Sequence, residues 1–215
     1  MVYMEKRILA TVFFVAVVSL AWAKAPVRQW IVSMPDSVMP LLSKNNRLDF
    51  IDFIDGGMEA VVTNRLDGKS RMTMLSEDFA SIEYTRSSVV TMKLLPLTDT
   101  TDVLCMVTTM QGDVKDSRIT FYDERWEELD AELFVDEPLL LDFCVSEVTD
   151  SAKLMWKKVD VFFKTYVLSP DALKMECGLS SMDYLSRADR DAVAPYVRKA
   201  PLTFLWQGAR FVRKE

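Results

Sequence analysis

Residues Val90–Leu94 read VTMKL, and the alternation of apolar Val90, Met92 and Leu94 with polar Thr91 and Lys93 has a period of two. That period belongs to a strand with one buried face and one wet face. The same pattern spreads outward on both sides. Met72 and Met74 alternate with polar neighbours, Ile82 and Tyr84 follow, and Arg86-Ser87-Ser88 supplies a turn before Val90. Downstream come Val103–Met110, then Ile119 and Phe121 flanked by Arg118, Thr120 and Tyr122. Asp67-Gly68 reads as a turn ahead of the first of these segments. The spacing predicts a meander of four or five antiparallel strands, and its methionines, from thirteen in the chain, read as adaptable core.

Upstream the period changes to three or four. Val38, Leu41 and Leu42 predict one short helix, and Ser43-Lys44-Asn45-Asn46 a break. Asn46 is the expected N-cap of a second helix, with Asp49 as a partial capping box and Gly56-Gly57 as its stop. Asp49, Asp52 and Asp55 recur at every third position. At 100° per residue they share a wedge of about 120°, while Phe50, Ile51, Phe53 and Ile54 occupy the other side. Three solvated carboxylates account for that spacing without a metal or a proton-transfer role.

A second occurrence lies near the far end. MPLLSKNNRLDFIDFI from Met39 aligns with MDYLSRADRDAVAPYV from Met182: Met, Leu, Ser and Arg coincide, and Asn46 faces Asp189 as a second N-cap. Such a match suggests an internal duplication. The acidic stretch Asp123–Val135 is the expected boundary. Beyond it, Asp150 is the expected cap of a helix carrying Leu154 and Trp156. Val159, Val161 and Phe163 predict one strand and Leu173, Met175 and Cys177 another, and Leu202–Trp206 pairs with Ala209–Val212 across Gln207-Gly208. The expected fold is α+β, with helix pairs packed on mainly antiparallel sheet and two similar halves suggested by the repeat. Residues 24–126 hold the first helix pair and its strands. Residues 127–215 hold the second α+β half, within the same domain or as its own.

The chain opens with Lys6 and Arg7, then runs without charge from Ile8 to Ala23, with Ala21-Trp22-Ala23 as an A-x-A site. This is the pattern of a secretory signal over residues 1–23. The apolar run is short against the roughly 20 residues of a membrane-spanning helix. No cysteine lies at the junction, which argues against a lipoprotein anchor. Removing Glu5, Lys6 and Arg7 moves the formal net charge from −6 to −7. An acidic protein of this kind is a poor partner for nucleic acid or an anionic membrane. Cys105, Cys144 and Cys177 are far apart, form no C-x-x-C and each lie in an apolar run, so they read as buried free thiols.

There is no histidine in the 215 residues. Histidine-based nucleophile pairs and histidine-ligated metals are therefore excluded. Gly68-Lys69-Ser70 imitates the end of a P-loop, but Thr63 stands where its first glycine is required. No catalytic residue, cofactor or metal ligand is expected. The chemistry that survives is carboxylate work, for which Glu83, Asp160 and Glu176 on expected strands are better placed than the aspartates of the helix. Alternation puts Phe162, Lys164 and Tyr166 on an outer strand face, the expected interaction surface.

The segments SMPDS (Ser33–Ser37) and LSKNNRLD (Leu42–Asp49), with RADRDAVAPYVRKAPLTFLWQGARFV (Arg187–Val212), resemble a family of exported Bacteroidetes proteins of unknown function. The resemblance implies a secreted α+β protein and assigns it no activity. The expected architecture is also similar, at fold level, to that of β-lactamase inhibitor proteins, whose concave sheet grips an enzyme. Three function classes follow: a periplasmic or surface protein that binds a protein, peptide or glycan of the envelope; a carboxylate-dependent hydrolase of glycan or peptidoglycan; and a carrier of an apolar ligand. Mature protein recovered from the cell envelope is expected to begin at Lys24. N-terminal mass spectrometry checks this, and an intact start at Met1 or Met4 overturns it.

Overall fold

The period-two segments fold into one long meander. A computed structural model describes residues 24–145 and 149–214; the expected signal segment lies outside them. In chain order the elements are α1 (Val27–Ser33), α2 (Lys44–Asp55), β1 (Val61–Thr63), β2 (Lys69–Leu75), β3 (Phe79–Thr85), β4 (Ser88–Pro96), β5 (Asp102–Gln111), β6 (Lys115–Tyr122), β7 (Glu128–Leu129), α3 (Asp150–Trp156), β8 (Lys164–Leu168), β9 (Lys174–Leu179), α4 (Ser181–Tyr184), α5 (Arg187–Val193), β10 (Leu202–Gln207) and β11 (Arg210–Lys214). Strands β1 to β7 form a seven-stranded sheet in sequence order, and β11-β10-β9-β8 form a four-stranded one. All pairings within both sheets are antiparallel.

The middle of the seven-stranded sheet, in β4 to β6, is buried on both sides. Met92, Leu94, Leu104, Met106 and Tyr122 pack with Val27, Trp30 and Ile31 of α1 and Phe50 of α2. The alternate residues Leu95, Cys105, Val107, Ile119 and Phe121 pack with Met175, Cys177, Phe204 and Phe211 of the smaller sheet. Val103 to Val107 are consequently five successive buried residues, as a strand covered on both faces requires. Lys93 enters the second layer almost fully buried. Its ammonium pairs with Asp78 at 2.7 Å, donates to the Pro170 carbonyl at 2.8 Å and lies 5.9 Å from the Phe79 ring centre.

The local repeat corresponds to a shared helix-capping turn. Helix α2 is capped by Ser43, not Asn46. Ser43 Oγ accepts from the Asn46 N–H at 3.2 Å, and Asn46 Oδ1 accepts from the Ser43 N–H at 3.1 Å. In α5, Ser186 accepts from the Asp189 N–H at 3.2 Å in the same way. Arg47 donates back to the Leu42 carbonyl at 2.7 Å and its counterpart Arg190 to the Leu185 carbonyl at 3.4 Å. Beyond this turn the stretches diverge: α4 and α5 sit between β9 and β10, where the first sheet has only tight connections. The expected division at residues 126–127 falls in the turn before β7, and the core is continuous across it, since Phe121 stacks on Phe134 at 4.7 Å.

Other expectations shift. Val38–Leu42 forms isolated turns, and the first helix is α1, closer to the chain start. Thr149, not Asp150, caps α3, accepting from the Ala152 N–H at 3.2 Å. Val159–Phe163 is an irregular approach to β8, so the strand starts later than the apolar residues suggested. Asp49, Asp52 and Asp55 are exposed as expected, with Asp55 paired to Arg28 at 3.0 Å. Cys105 and Cys177 are buried free thiols, and Cys144 is a half-buried one. Burial pushes the Cys177 thiol up to about 12.

The two most family-like segments meet at Arg47, which is 1% exposed. Its guanidinium donates to the Met34 carbonyl at 2.5 Å and to Asp36 at 3.0 Å besides Leu42, joining SMPDS to LSKNNRLD. The hydrogen bonds from Arg47 and then Arg65 hold the Asp36 carboxyl below the usual range. Ser33 of the same segment accepts from the Trp126 indole N–H at 3.2 Å. Trp126 adopts φ of 66°, a conformation costly for a bulky side chain, so that its ring reaches Trp30 at 5.9 Å. Replacing Arg47 with Ala orphans two buried carbonyls and is expected to cost about 3 kcal/mol. The same change at exposed Arg190 should cost less than about 1 kcal/mol; urea denaturation of both variants measures the difference.

Candidate functional site

The residues expected to form an outer face do not do so. Tyr166 is 3% exposed and faces the core between the sheets. Phe162 is half-buried, its ring 6.0 Å from that of Phe143. Lys164 reaches across both, 5.2 Å from the Phe162 ring centre and 5.7 Å from that of Tyr166, and pairs with Glu137 at 2.8 Å. The cause is a shift of register. Because β8 begins at Lys164 and not among Val159–Phe163, the even-numbered residues turn inward, and one residue of slip exchanges the two faces of a strand.

The true outer face can be read from the pairing. Val167 lies opposite Glu176, Glu176 opposite Thr203, and Thr203 opposite Lys214; in the next row Lys174 lies opposite Leu205 and Leu205 opposite Val212. Cross-strand partners share a face. Val167 is 60% and Val212 42% exposed, while the reverse side carries Tyr166, Met175, Cys177 and Phe204, all nearly inaccessible. Between the two valines Lys174 and Glu176 pair at 2.9 Å. The face is open and partly apolar, and beyond the Lys174–Glu176 pair it carries the exposed Lys214. It adjoins a groove of about 250 Å³ along β8, walled by Thr91, Thr109, Gln111 and Lys115 of the larger sheet.

The deeper cavities lack the layout of acid–base catalysis. A cleft of about 650 Å³ beside α1 is lined by Lys24, Gln29, Trp30, Ser33, Thr101 and, as its one carboxylate, Glu124. Glycoside hydrolysis needs two. A cavity of about 360 Å³ does gather Asp136, Glu137 and Asp142. Each has its own cation: Arg210 at 2.8 Å, Lys164 at 2.8 Å and Arg213 at 2.6 Å respectively. Of the carboxylates singled out from sequence, Glu176 is paired with Lys174, Glu83 lies 3.8 Å from Arg71, and Asp160 is exposed outside any strand. These three are not brought together. Among the described residues no cluster of three His, Cys, Asp or Glu side chains forms a metal site, and no helix is long and apolar enough to cross a membrane.

Comparison with known proteins agrees with a fold whose activity is unassigned. The chain belongs to the family described as protein of unknown function (DUF3256). The match spans residues 21–211. No curated protein matches the chain. A domain of an uncharacterised protein from Porphyromonas gingivalis W83 is similar to it in structure, with a TM-score of 0.79 and 24% identity over 89% of this chain and 99% of that one. That likeness establishes the shared fold.

Asp142 offers a test of the ion pairs that fill the acidic cavity. Its burial acts to raise its pKa, but the hydrogen bond from Arg213 and the one from the Leu139 N–H outweigh it, and the carboxyl sits below its usual value. A lowered pKa stabilises the fold fully above the unfolded value, roughly 3.9, and that contribution disappears as pH falls through the folded value. Asp142→Asn is therefore expected to flatten the acid limb of the stability curve below about pH 4; thermal melts from pH 7 to pH 2 measure it, and an unchanged limb overturns it.

Proposed function

We propose that this is an exported, non-catalytic binding protein of the cell envelope that docks a partner protein on the outer face of the β8–β11 sheet. The observation that carries the reading is the exposure of Val167 and Val212, at 60% and 42%, on a sheet whose other side is core. Aliphatic side chains held on a rigid sheet surface are surplus to folding and suited to a protein contact. The Lys174–Glu176 pair and the exposed Lys214 supply the polar contacts beside them. Export is supported by the basic start and uncharged Ile8–Ala23 run, followed by a chain anchored from Lys24, whose ammonium pairs with Asp102 at 2.7 Å.

The test uses protein beginning at Lys24 as bait in envelope extract of the native organism, followed by calorimetry with the purified partner. A partner that binds stoichiometrically and is weakened at least about tenfold by V167E/V212E supports the reading. Equal affinity of wild type and variant overturns the face, and a blank with both overturns protein binding.

A further inference from the structure

The helical layer covers only part of its face of the larger sheet. Along that face of β5 and β6 the partners are Leu104 with Tyr122, Met106 with Thr120, Thr108 with Arg118 and Met110 with Asp116. Leu104 and Met106 are buried, Thr108 is half-buried and Met110 is exposed, so the cover ends just past Met106, where the side chains of β6 turn polar. Ser37 and Val38, in the turns after α1, line the border from the other side. Between them and β5–β7 lies a groove of about 440 Å³, within the roughly 300–1,000 Å³ of small-ligand sites.

Its floor and its rim differ in chemistry. The deepest residues are Thr120, Tyr122 and Trp126, all nearly buried, and the Tyr122 and Trp126 rings meet with their centres 5.5 Å apart. The turn carrying Trp126 is rigid: the Asp123 carboxylate accepts from the Arg125 N–H at 2.9 Å and from the Glu127 N–H at 2.8 Å, and the Trp126 indole is tied to Ser33. The aromatic floor is therefore in place before any ligand arrives, which lowers the cost of binding. Burial pushes the Tyr122 phenol up, so it keeps its proton at neutral pH. On the rim, Arg118 donates to Glu128 at 3.0 Å, and both side chains are exposed. The hydroxyls of Ser37 and Thr108 complete the wall.

That lining selects a class of ligand. Among the described residues Arg118 and Glu128 are its only charges and they cancel, so neither an anion nor a cation is favoured. Val38 and Met106 are its only aliphatic side chains, too few to hold an apolar molecule. A guanidinium and a carboxylate joined by one bond keep further N–H donors and lone pairs for other partners. Adjacent hydroxyls on one ring, which donate and accept side by side, match that array, and the C–H side of the same ring suits an aromatic floor. We propose that the groove binds an uncharged saccharide, with Arg118 donating to one ring hydroxyl, Glu128 accepting from its neighbour and the Tyr122–Trp126 floor meeting the C–H side. The site lies on the helix side of the larger sheet, away from Val167 and Val212, and is independent of the protein docking proposed above.

The experiment presents protein beginning at Lys24 to an array of uncharged gluco-, manno-, galacto- and xylo-oligosaccharides, with uronate-containing and sulfated oligosaccharides as charged controls. Calorimetry then gives the affinity for the retained oligosaccharide, and NMR shift changes locate it. An uncharged saccharide is expected to be retained and to shift the Thr108, Arg118 and Thr120 amides and the Trp126 indole signal. R118A/E128A, which removes both charges of an exposed pair together, should weaken binding at least about tenfold, the size of losing bonds to charged groups. Thr108→Trp, which fills the groove from its half-buried end, should abolish it, and V167E/V212E should leave it unchanged. Melting curves confirm that each variant is folded. Retention of charged oligosaccharides alone, retention of none, or an affinity that survives both groove variants overturns the proposal. Loss of binding in V167E/V212E also overturns it, by placing the saccharide on the outer face of the smaller sheet.

Discussion

Everything in this protein is arranged around a sheet that must be covered twice. A meander with one apolar face would be complete with two N-terminal helices. Here the odd-numbered residues of β5 are as buried as the even ones, so the chain after β7 is obliged to build a second layer. That obligation explains the modest size of the second sheet. Four strands suffice to cap Cys105, Val107, Ile119 and Phe121, and the short helices α3 and α5 add Trp156 and Val193 to the same core.

A division of labour follows. The segments SMPDS and LSKNNRLD meet at Arg47, Asp36 and Ser43, and their interactions are those of a turn that joins two helices beside the sheet. Such residues specify architecture. The outer face of the second layer carries exposed Val167 and Val212, residues that belong to no motif.

How far the sequence revealed this depends on what each signal measures. Period two in Val90–Leu94 and the serine-capped turns at Ser43 and Ser186 are real local geometry, and the carboxylates of α2 are solvated as their spacing implies. The cap of α2 lies three residues before Asn46 because Ser43 and Asn46 share one box and either reads as its start. The outer face was misread at Tyr166 because apolar Val159, Val161 and Phe163 imitate a strand that the chain does not form until Lys164. Alternation gives the period of a strand but not its phase, and phase is set by tertiary packing.

Lys93 adds a constraint of a different kind. It stands in the layer between the sheets, and its acceptor there is the carbonyl of Pro170 in the β8–β9 connection. Greasy surfaces slide over one another at little cost, whereas an ammonium shut away from water without an acceptor is severely penalised. Only one placement of the second sheet brings Pro170 over the lysine. The residue therefore acts as a locating pin: with Asp78 already beside its ammonium it contributes little to the strength of the sandwich, but its bond to Pro170 makes neighbouring alignments of the two sheets distinguishable, and so keeps the outer face of the second sheet in one fixed position.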